Sequence, residues 1–489
     1  MWVVSGSGCR WLGAGGALAV TVGGYAAGAL PVLGGGPLWA PRSSGAEVLG
    51  AVLALLGLTV LVAAWWRYGV LLARGAAGGV PGTLAAWGAP LLLAPPLHSA
   101  DVYSYVAQGA MVLEGYDVYG AGPSVLGPGD LGADAAASVG GNWTDTPAPY
   151  GPAFLLLAEA AVKLTGGSVV PAVLLLRLLA VAAVALIAWA VRGLGEDRGD
   201  GSDGALWLAV LNPLLLVHVV GGVHNDGLMA GLMLAGVLLA VRGRWAWGSV
   251  LVGCAVMVKS PAAVALLFIG VLVARRAGGG ARGVAKGLVL PGAIAGAVAA
   301  GASLLAGTGF GWLGTQSVAG AIHTPLSLTS DLGLALGSLV ADDPGPVKAV
   351  VQRAGLLAAV VVVAVLAWRA YRGRIDPVLG LGYSLVALVA LSPMVQPWYL
   401  LWGTVVVAAV AWHSRAGQVL AVLSAALVYE TQPSGHTPWY GFVLAGLVLA
   451  LGALWLRRAP WPPAGGTATG PGSATGPGSG GGARTGVPA

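Results

Sequence analysis

Charged side chains are scarce in this chain of 489 residues: Asp, Glu, Lys and Arg make up only 9% of it, whereas 57% of the residues are hydrophobic. A soluble globular domain carries about 25% charged residues, so this composition and the mean hydropathy of +0.84 exclude an ordinary soluble domain. Apolar runs of roughly 15–25 residues recur along the whole length, and a membrane-spanning helix needs about 20. The sequence therefore predicts an all-α polytopic membrane protein.

The residue patterns of several common site types are also missing. The two cysteines, Cys9 and Cys254, lie in unrelated segments, which implies neither a disulfide framework nor a metal site. There is no Walker loop, no Ser-His-Asp arrangement and no His-rich cage, and Gly309–Gly314 matches a dinucleotide motif by letter only. The net charge of +6 comes mostly from arginines in short loops, so we expect no nucleic-acid partner.

The apolar runs predict about 13–14 membrane-spanning helices. The candidates cover residues 11–33, 46–66, 80–97, 169–191, 205–222, 227–241, 245–258, 261–274, 287–307, 347–370, 376–392, 398–412, 416–430 and 441–456.

Lysine and arginine in the short connections indicate the orientation, because cytoplasmic loops carry an excess of both. One set of loops holds most of these residues. To the opposite set we assign only Arg42, Lys163, Lys259 and Lys348. This asymmetry predicts cytoplasmic termini and two large outer loops, 98–168 and 308–346. Within the first loop, Pro152–Gly166 carries Glu159 and Lys163 on one helical face, which predicts an interfacial helix.

The outer segment from His98 to Pro152 contains six acidic residues and no Lys or Arg. Asp101 lies three residues beyond a predicted span, where a carboxylate is a candidate general base; the alternative is an N-cap of a surface helix. Asp145, in WTDTPAPYGP, is a turn or capping residue or else lies in a substrate cavity with Tyr150.

A second polar cluster, His224, Asn225 and Asp226, is predicted where one helix leaves the membrane on the outer side and another returns. These side chains are candidates for the substrate cavity, and the alternative for Asn225 or Asp226 is a helix cap. A metal site is disfavoured, because no second pair of ligands has a suitable spacing.

Two cations lie in apolar surroundings. Lys259, in MVKSP, is placed at an outer helix break, and Arg177 is embedded in an apolar run. Either could bind a phosphate or pair with a carboxylate; a snorkelling side chain is the alternative for Lys259, and an anionic lipid head group is the alternative partner of Arg177.

The segment SPMVQPWYLLW breaks a helix at two prolines and places Gln396, Trp398 and Tyr399 at the outer interface. An aromatic belt explains the rings but not the interruption, so we predict that these residues line the substrate cavity.

An outer carboxylate, cations and sugar-stacking aromatics suit glycosyl transfer from a lipid-phosphate sugar. The leaving phosphate is stable as an anion, so one carboxylate acting on the acceptor hydroxyl suffices. A cation would neutralise the departing phosphate. The alternative function is a transporter or flippase of a lipid-linked saccharide, which should show inverted repeats with paired broken helices; we find none.

Five segments, in order, carry a family resemblance: DVYSYVAQG, DTPAPYGPAFLLLA, NPLLLVHVVGGVHNDGLMAGLMLAG, VKSPAAVALL and SPMVQPWYLLW. Over about residues 80–456 the chain resembles the actinobacterial polyprenol-phosphomannose-dependent α-1,6-mannosyltransferases of the MptB type, which are GT-C glycosyltransferases. The resemblance implies a GT-C fold for the membrane catalytic domain (80–456). The apolar runs before it predict an N-terminal transmembrane helix pair (1–79), and the Gly/Pro/Ser-rich composition after it predicts a disordered cytoplasmic tail (457–489).

The resemblance also implies a site and its substrates. Asp101 matches the family's acidic loop residue and would act as the base, while Lys259 and Asp226 match polar positions of the outer cavity. The implied donor is a polyprenyl phosphomannose, used with inversion at the extracytoplasmic face of the cell membrane, and the acceptor is a cell-envelope glycan or lipoglycan. Val102 and Tyr103 follow Asp101 where many relatives have a second acidic residue, so we expect no metal cofactor.

Overall fold

The computed structural model describes residues 5–199, 202–340 and 342–458. In these ranges the regular secondary structure is entirely helical, with twenty α-helices and no strand. The α-helices are α1 (Gly6–Ala27), α2 (Ser44–Ala73), α3 (Val80–Leu91), α4 (Asp101–Leu113), α5 (Ala133–Ala136), α6 (Pro152–Thr165), α7 (Val169–Glu196), α8 (Ser202–Ala209), α9 (Pro213–Leu215), α10 (Asp226–Val241), α11 (Trp245–Val256), α12 (Val264–Arg276), α13 (Gly280–Leu305), α14 (Val318–Ala321), α15 (Leu328–Val340), α16 (Gly345–Tyr371), α17 (Pro377–Ala390), α18 (Leu400–Ala411), α19 (Arg415–Leu427) and α20 (Trp439–Arg458).

Five short 3₁₀ segments and one π-helical segment lie between the α-helices of the described residues. The 3₁₀ segments are Pro123–Val125, Gly141–Trp143, Ser260–Ala263, Gly311–Ser317 and Pro397–Tyr399, and a π-helical segment covers Leu216–Gly221. Each predicted apolar run contains a helix, so the all-α prediction is confirmed.

One predicted helix, 205–222, is broken into α8, α9 and the π-helical segment. Pro213 lacks a backbone N–H and so favours a helix start over a helix interior. The Asn212 side chain caps the new helix by accepting the N–H of Leu214 at 3.0 Å. The two halves of this segment are bent by 45°.

Five helices are long and apolar enough to cross a membrane: α2, α7, α13, α16 and α20. The bent α8–α9 segment would be a sixth. Shorter apolar helices, such as α11 and α18 with 12 residues each, extend only about 18 Å at 1.5 Å per residue. A polytopic membrane protein is thus confirmed, while the larger number of spans stays a prediction.

Helix α6 is the segment predicted to lie at the interface. It has 14 residues and ends at Gly166, whose φ of 59° is left-handed. It packs closely on α4, since a Cβ atom at Gly109 would lie 2.5 Å from the backbone of Ala158. This contact holds α4, and with it Asp101, against the body of the protein.

The C-terminal boundary needs one correction. Arg457 and Arg458, predicted to begin the disordered tail, form the last turn of α20. The remainder of the predicted tail, 459–489, lies outside the described residues.

Candidate active site

Asp101 is the first residue of α4 and is presented by a sharp turn. His98 adopts a φ of 61°, which non-glycine residues rarely do. Its backbone N–H donates to Pro433 O at 2.8 Å, and the Ser99 hydroxyl accepts the N–H of Asp101 at 3.0 Å. Ser99 therefore satisfies the backbone at this helix start, and the Asp101 carboxylate stays available.

The carboxylate of Asp101 faces His224 from the turn before α10. Oδ2 of Asp101 lies 3.4 Å from Nδ1 of His224, whose side chain is fully buried while that of Asp101 is 25% exposed. The contact is too long for a well-formed charge-assisted hydrogen bond. The imidazole stacks on the indole of Trp398, with ring centroids 3.8 Å apart.

A buried ion pair lies beside this contact. Nζ of Lys259 donates to both carboxylate oxygens of Asp226, each at 2.9 Å, and Nε1 of Trp402 donates to Oδ1 at 2.7 Å. Lys259 also lies over the ring of Tyr399, 4.5 Å from its centroid. The Asp226 carboxylate therefore accepts hydrogen bonds from the side chains of Lys259 and Trp402 and does not cap a helix.

Asp101 and Lys259 open into a cavity of about 660 Å³. Of the predicted residues, Tyr150, Gln396, Trp398 and Tyr399 line it as well. The cavity also has polar and aromatic lining residues that the sequence reasoning missed: Trp143, Ser260, Gln316, Gln352, Arg353 and Trp402.

Arg353 is the most consequential of these omissions. It is exposed on α16, two turns from the outer end predicted for that helix. Among the residues that the structure describes, it has no carboxylate within ion-pair distance. The signal was available, because an arginine within an otherwise apolar span is rare unless it faces a polar cavity.

Arg177 was predicted to bind the donor phosphate, and the structure places it elsewhere. It is buried away from the cavity, and its guanidinium donates to four main-chain carbonyls, those of Leu92, Ala94, Val220 and Gly221. Its partners within the described residues are therefore main-chain carbonyls and not a carboxylate. Arg177 instead joins the end of α3 to the π-helical segment.

Three further predicted cavity residues lie behind the cavity wall. His224, Asn225 and Asp226 are buried and do not line the large cavity. The side-chain amide of Asn225 has no hydrogen-bond partner within the described residues and lines a small separate cavity with Tyr105. These residues support the lining groups from behind and do not face the substrate space.

Asp145 lies in the loop after the Gly141–Trp143 segment, also outside the cavity lining. Its exposed carboxylate accepts a hydrogen bond from the hydroxyl of Ser124 at 2.6 Å. This placement matches the structural alternative for Asp145, a loop or turn residue.

The electrostatic surroundings keep Asp101 ionised. Burial alone would raise the pKa of Asp101. His224, then Lys259 and Ser99, lower it by a larger amount, so the pKa lies below its ordinary value. Burial also raises the pKa of Tyr150 well above its ordinary value, so this phenol stays protonated. The cavity thus combines a carboxylate that can accept a proton with hydroxyl, amide and cationic donors.

The fold and the cavity define the class of this protein as an all-helical membrane protein with a polar, partly aromatic cavity. Residues 10–275 match the family model described as alpha-(1->6)-mannopyranosyltransferase, N-terminal domain, and residues 327–458 match the MptB C-terminal domain. The chain belongs to the α-(1→6)-mannopyranosyltransferase family and is a hexosyltransferase.

Relatives match over most of their length. A probable α-(1→6)-mannopyranosyltransferase of Mycolicibacterium smegmatis is 34% identical over 93% of this chain and 89% of its own. Alpha-(1->6)-mannopyranosyltransferase A of Mycobacterium tuberculosis is 36% identical over 88% of this chain and 86% of its own. Alpha-(1->6)-mannopyranosyltransferase B of Corynebacterium glutamicum is 32% identical over 92% of this chain and 82% of its own. The predicted family resemblance is confirmed.

Proposed function

We propose that this protein transfers mannose from a polyprenyl phosphomannose to a cell-envelope glycan or lipoglycan, forming α-1,6 linkages with inversion. The names of the relatives support the sugar and the linkage. The observation that carries the mechanism is that the Asp101 carboxylate, Lys259 and Arg353 line one cavity of about 660 Å³.

In the proposed reaction Asp101 is the general base. The acceptor hydroxyl attacks C1 of mannose, and its proton passes to the Asp101 carboxylate. The bond from C1 to the phosphate oxygen breaks, and its electron pair leaves with the polyprenyl phosphate. No metal ion takes part in this proposal.

Arg353 and Lys259 would hold the phosphate. The charge of Lys259 is already balanced by Asp226 at 2.9 Å, so Lys259 adds little net positive charge to the cavity. Arg353 brings an unbalanced guanidinium, whose planar donors match phosphate oxygens. We therefore assign the larger share of phosphate binding to Arg353 and retain Lys259 as a second donor.

The cavity would open to the extracytoplasmic side of the cell membrane, with both termini in the cytoplasm. Its wall includes Trp143 and Tyr150 of the first predicted outer loop. From the second it includes Thr315, Gln316, Ser317, Val318 and Gly320. The positive-inside pattern supports this side. A lipid donor would then enter from the bilayer, and the acceptor from outside.

The test is mannosyl transfer from radiolabelled polyprenyl phosphomannose by purified protein. Asp101→Asn should lower kcat by about 100- to 10,000-fold, the usual contribution of general base catalysis. Asp145→Asn is the matched control, because it removes a carboxylate of the same loop outside the cavity. Unchanged turnover in Asp101→Asn would exclude the assigned base, and translocation of the lipid without transfer would favour a flippase.

A further inference from the structure

Two strained turns stand on either side of the candidate base. His98 and Val223 are the only non-glycine residues with a positive φ among the described residues, at 61° and 60°. For a β-branched residue such as Val223 this conformation is a genuine outlier. Residues held in such conformations concentrate at functional sites, so what these turns position is informative.

The two turns are joined and aim two side chains at one another. The N–H of Leu97 donates to Gly221 O at 3.2 Å, which connects the chain before His98 to the chain before Val223. His98 precedes Asp101 by three residues, and Val223 directly precedes His224. The result is the 3.4 Å approach of Asp101 Oδ2 to His224 Nδ1.

The imidazole of His224 has little freedom to turn away. Its side chain is fully buried, one face stacks on Trp398 at 3.8 Å, and its backbone N–H donates to His218 O at 3.3 Å. Nδ1 of His224 is therefore held 3.4 Å from the Asp101 carboxylate, and a small shift would bring the pair to hydrogen-bond distance.

We propose that Asp101 and His224 form a carboxylate–imidazole dyad, in which His224 orients Asp101 and receives the proton released by the acceptor. The inference rests on the proposed function. As the new bond between acceptor oxygen and C1 forms and the phosphate leaves, the hydroxyl proton moves to Asp101 and then to Nδ1 of His224. His224 acts through Asp101 and is a positioning residue.

The neighbours of the dyad suit this role. The Asp101 carboxylate holds a proton weakly, because its pKa lies below the ordinary value, and Nδ1 of His224 lies 3.4 Å from it. Around the pair the titratable and charged groups are Tyr105, Tyr150, Asp226, Lys259 and Tyr399 on the Asp101 side and His98 and His218 on the His224 side. None of these others lies within ion-pair distance of Asp101 in the part of the chain that the structure describes.

His224→Gln is the first test, because glutamine keeps a polar side chain but cannot take the proton. Activity needs ionised Asp101 and is lost as pH falls through its pKa. Removing His224 takes away the strongest influence lowering that pKa, so the acid limb of kcat/KM should move to higher pH. We expect kcat to fall about 10- to 100-fold, as for other residues that orient a functional group.

His218→Gln is the matched control. His218 is equally buried and its ring centroid lies 5.1 Å from that of the same Trp398, yet it does not touch Asp101. The acid limb of kcat/KM in His218→Gln should therefore stay at the wild-type pH. An unmoved limb in His224→Gln, or an equal shift in both variants, would overturn the dyad. If the wild-type protein transfers no mannose, the proposed function fails instead.

NMR of ¹³C-labelled histidine tests the contact without turnover and keeps His224 in place. The signal lost in His224→Gln identifies the residue. Asp101→Asn should shift that signal more than Asp145→Asn does, because only the Asp101 carboxylate lies beside the imidazole. An equal shift in both variants would overturn the dyad.

Discussion

Asp101 and Arg353 bring opposite charges to the same cavity from distant parts of the chain. Asp101 was recognisable from the sequence, since it is a carboxylate at the mouth of an apolar segment. Arg353 was recognisable only as an arginine within an apolar span, because the direction of its side chain depends on how α16 packs. Arg177 shows the converse, since its four carbonyl partners lie 43–85 residues away in the chain and no local pattern reveals them.

Arg353→Gln should weaken the binding of polyprenyl phosphate by about 10- to 100-fold, the range of a lost charge-assisted hydrogen bond. The KM for the donor should rise by a similar factor, while the KM for the acceptor should change little. Binding of a fluorescent polyprenyl phosphate to purified protein measures the effect directly.

Arg369→Gln is the control for this experiment, because Arg369 is an exposed arginine in the last turn of the same helix. Equal weakening in both variants would mean that net charge, and not the position of Arg353, controls binding.

At the scale of helices, the predicted runs were found because hydrophobicity along the chain is a local property. The ends of helices were less predictable. Residues 80–97 were predicted as one helix, but α3 ends at Leu91, ahead of Pro95 and Pro96. In a continued helix Pro95 would have no N–H for the carbonyl of Leu91, and its ring would clash with that carbonyl. The early ending leaves the carbonyls of Leu92 and Ala94, which Arg177 binds.

The connection between α19 and α20 contains a carboxyl group that should oppose folding at neutral pH. Burial raises the pKa of Glu430 to about 7, although a hydrogen bond from Thr437 lowers it. Because the folded-state pKa lies above the unfolded value of about 4.3, stability should fall as pH rises from about 4.3 to 7. Glu430→Gln should therefore raise the Tm at pH 8 and change it little at pH 4.5.

Because the pKa rises from about 4.3 to about 7 and each pKa unit corresponds to 1.36 kcal/mol, the stabilisation expected at pH 8 is roughly 4 kcal/mol. Thermal unfolding of the detergent-solubilised protein at both pH values measures it. Glu159→Gln, which removes a carboxyl from helix α6, is the control for the loss of one negative charge. Equal Tm changes at both pH values for Glu430→Gln would contradict the prediction.

For the molecule as a whole, charge asymmetry predicts which side of the membrane each loop faces. Two positions report on opposite sides: Ser317, exposed in the segment that lines the cavity, and Ala277, exposed beside Arg275 and Arg276. With Cys9 and Cys254 first replaced by alanine, an impermeant maleimide added to intact cells should label Ser317→Cys and not Ala277→Cys.

Permeabilised cells supply the control, because both cysteines should then react. Labelling of Ala277→Cys alone in intact cells would invert the orientation, and the cavity would then face the cytoplasm.

The sequence by itself determined the all-helical membrane class, the family and most of the residues around the candidate base. These follow from hydrophobic runs, loop composition and short ordered motifs, which are local in the chain. Only the tertiary structure decided which polar residues share a cavity. It places Arg353 in the cavity wall, Arg177 among main-chain carbonyls away from the cavity, and His224 next to Asp101. The physical reason is that a buried polar side chain takes its partner from whatever helix packs against it, and that packing joins residues far apart in the sequence.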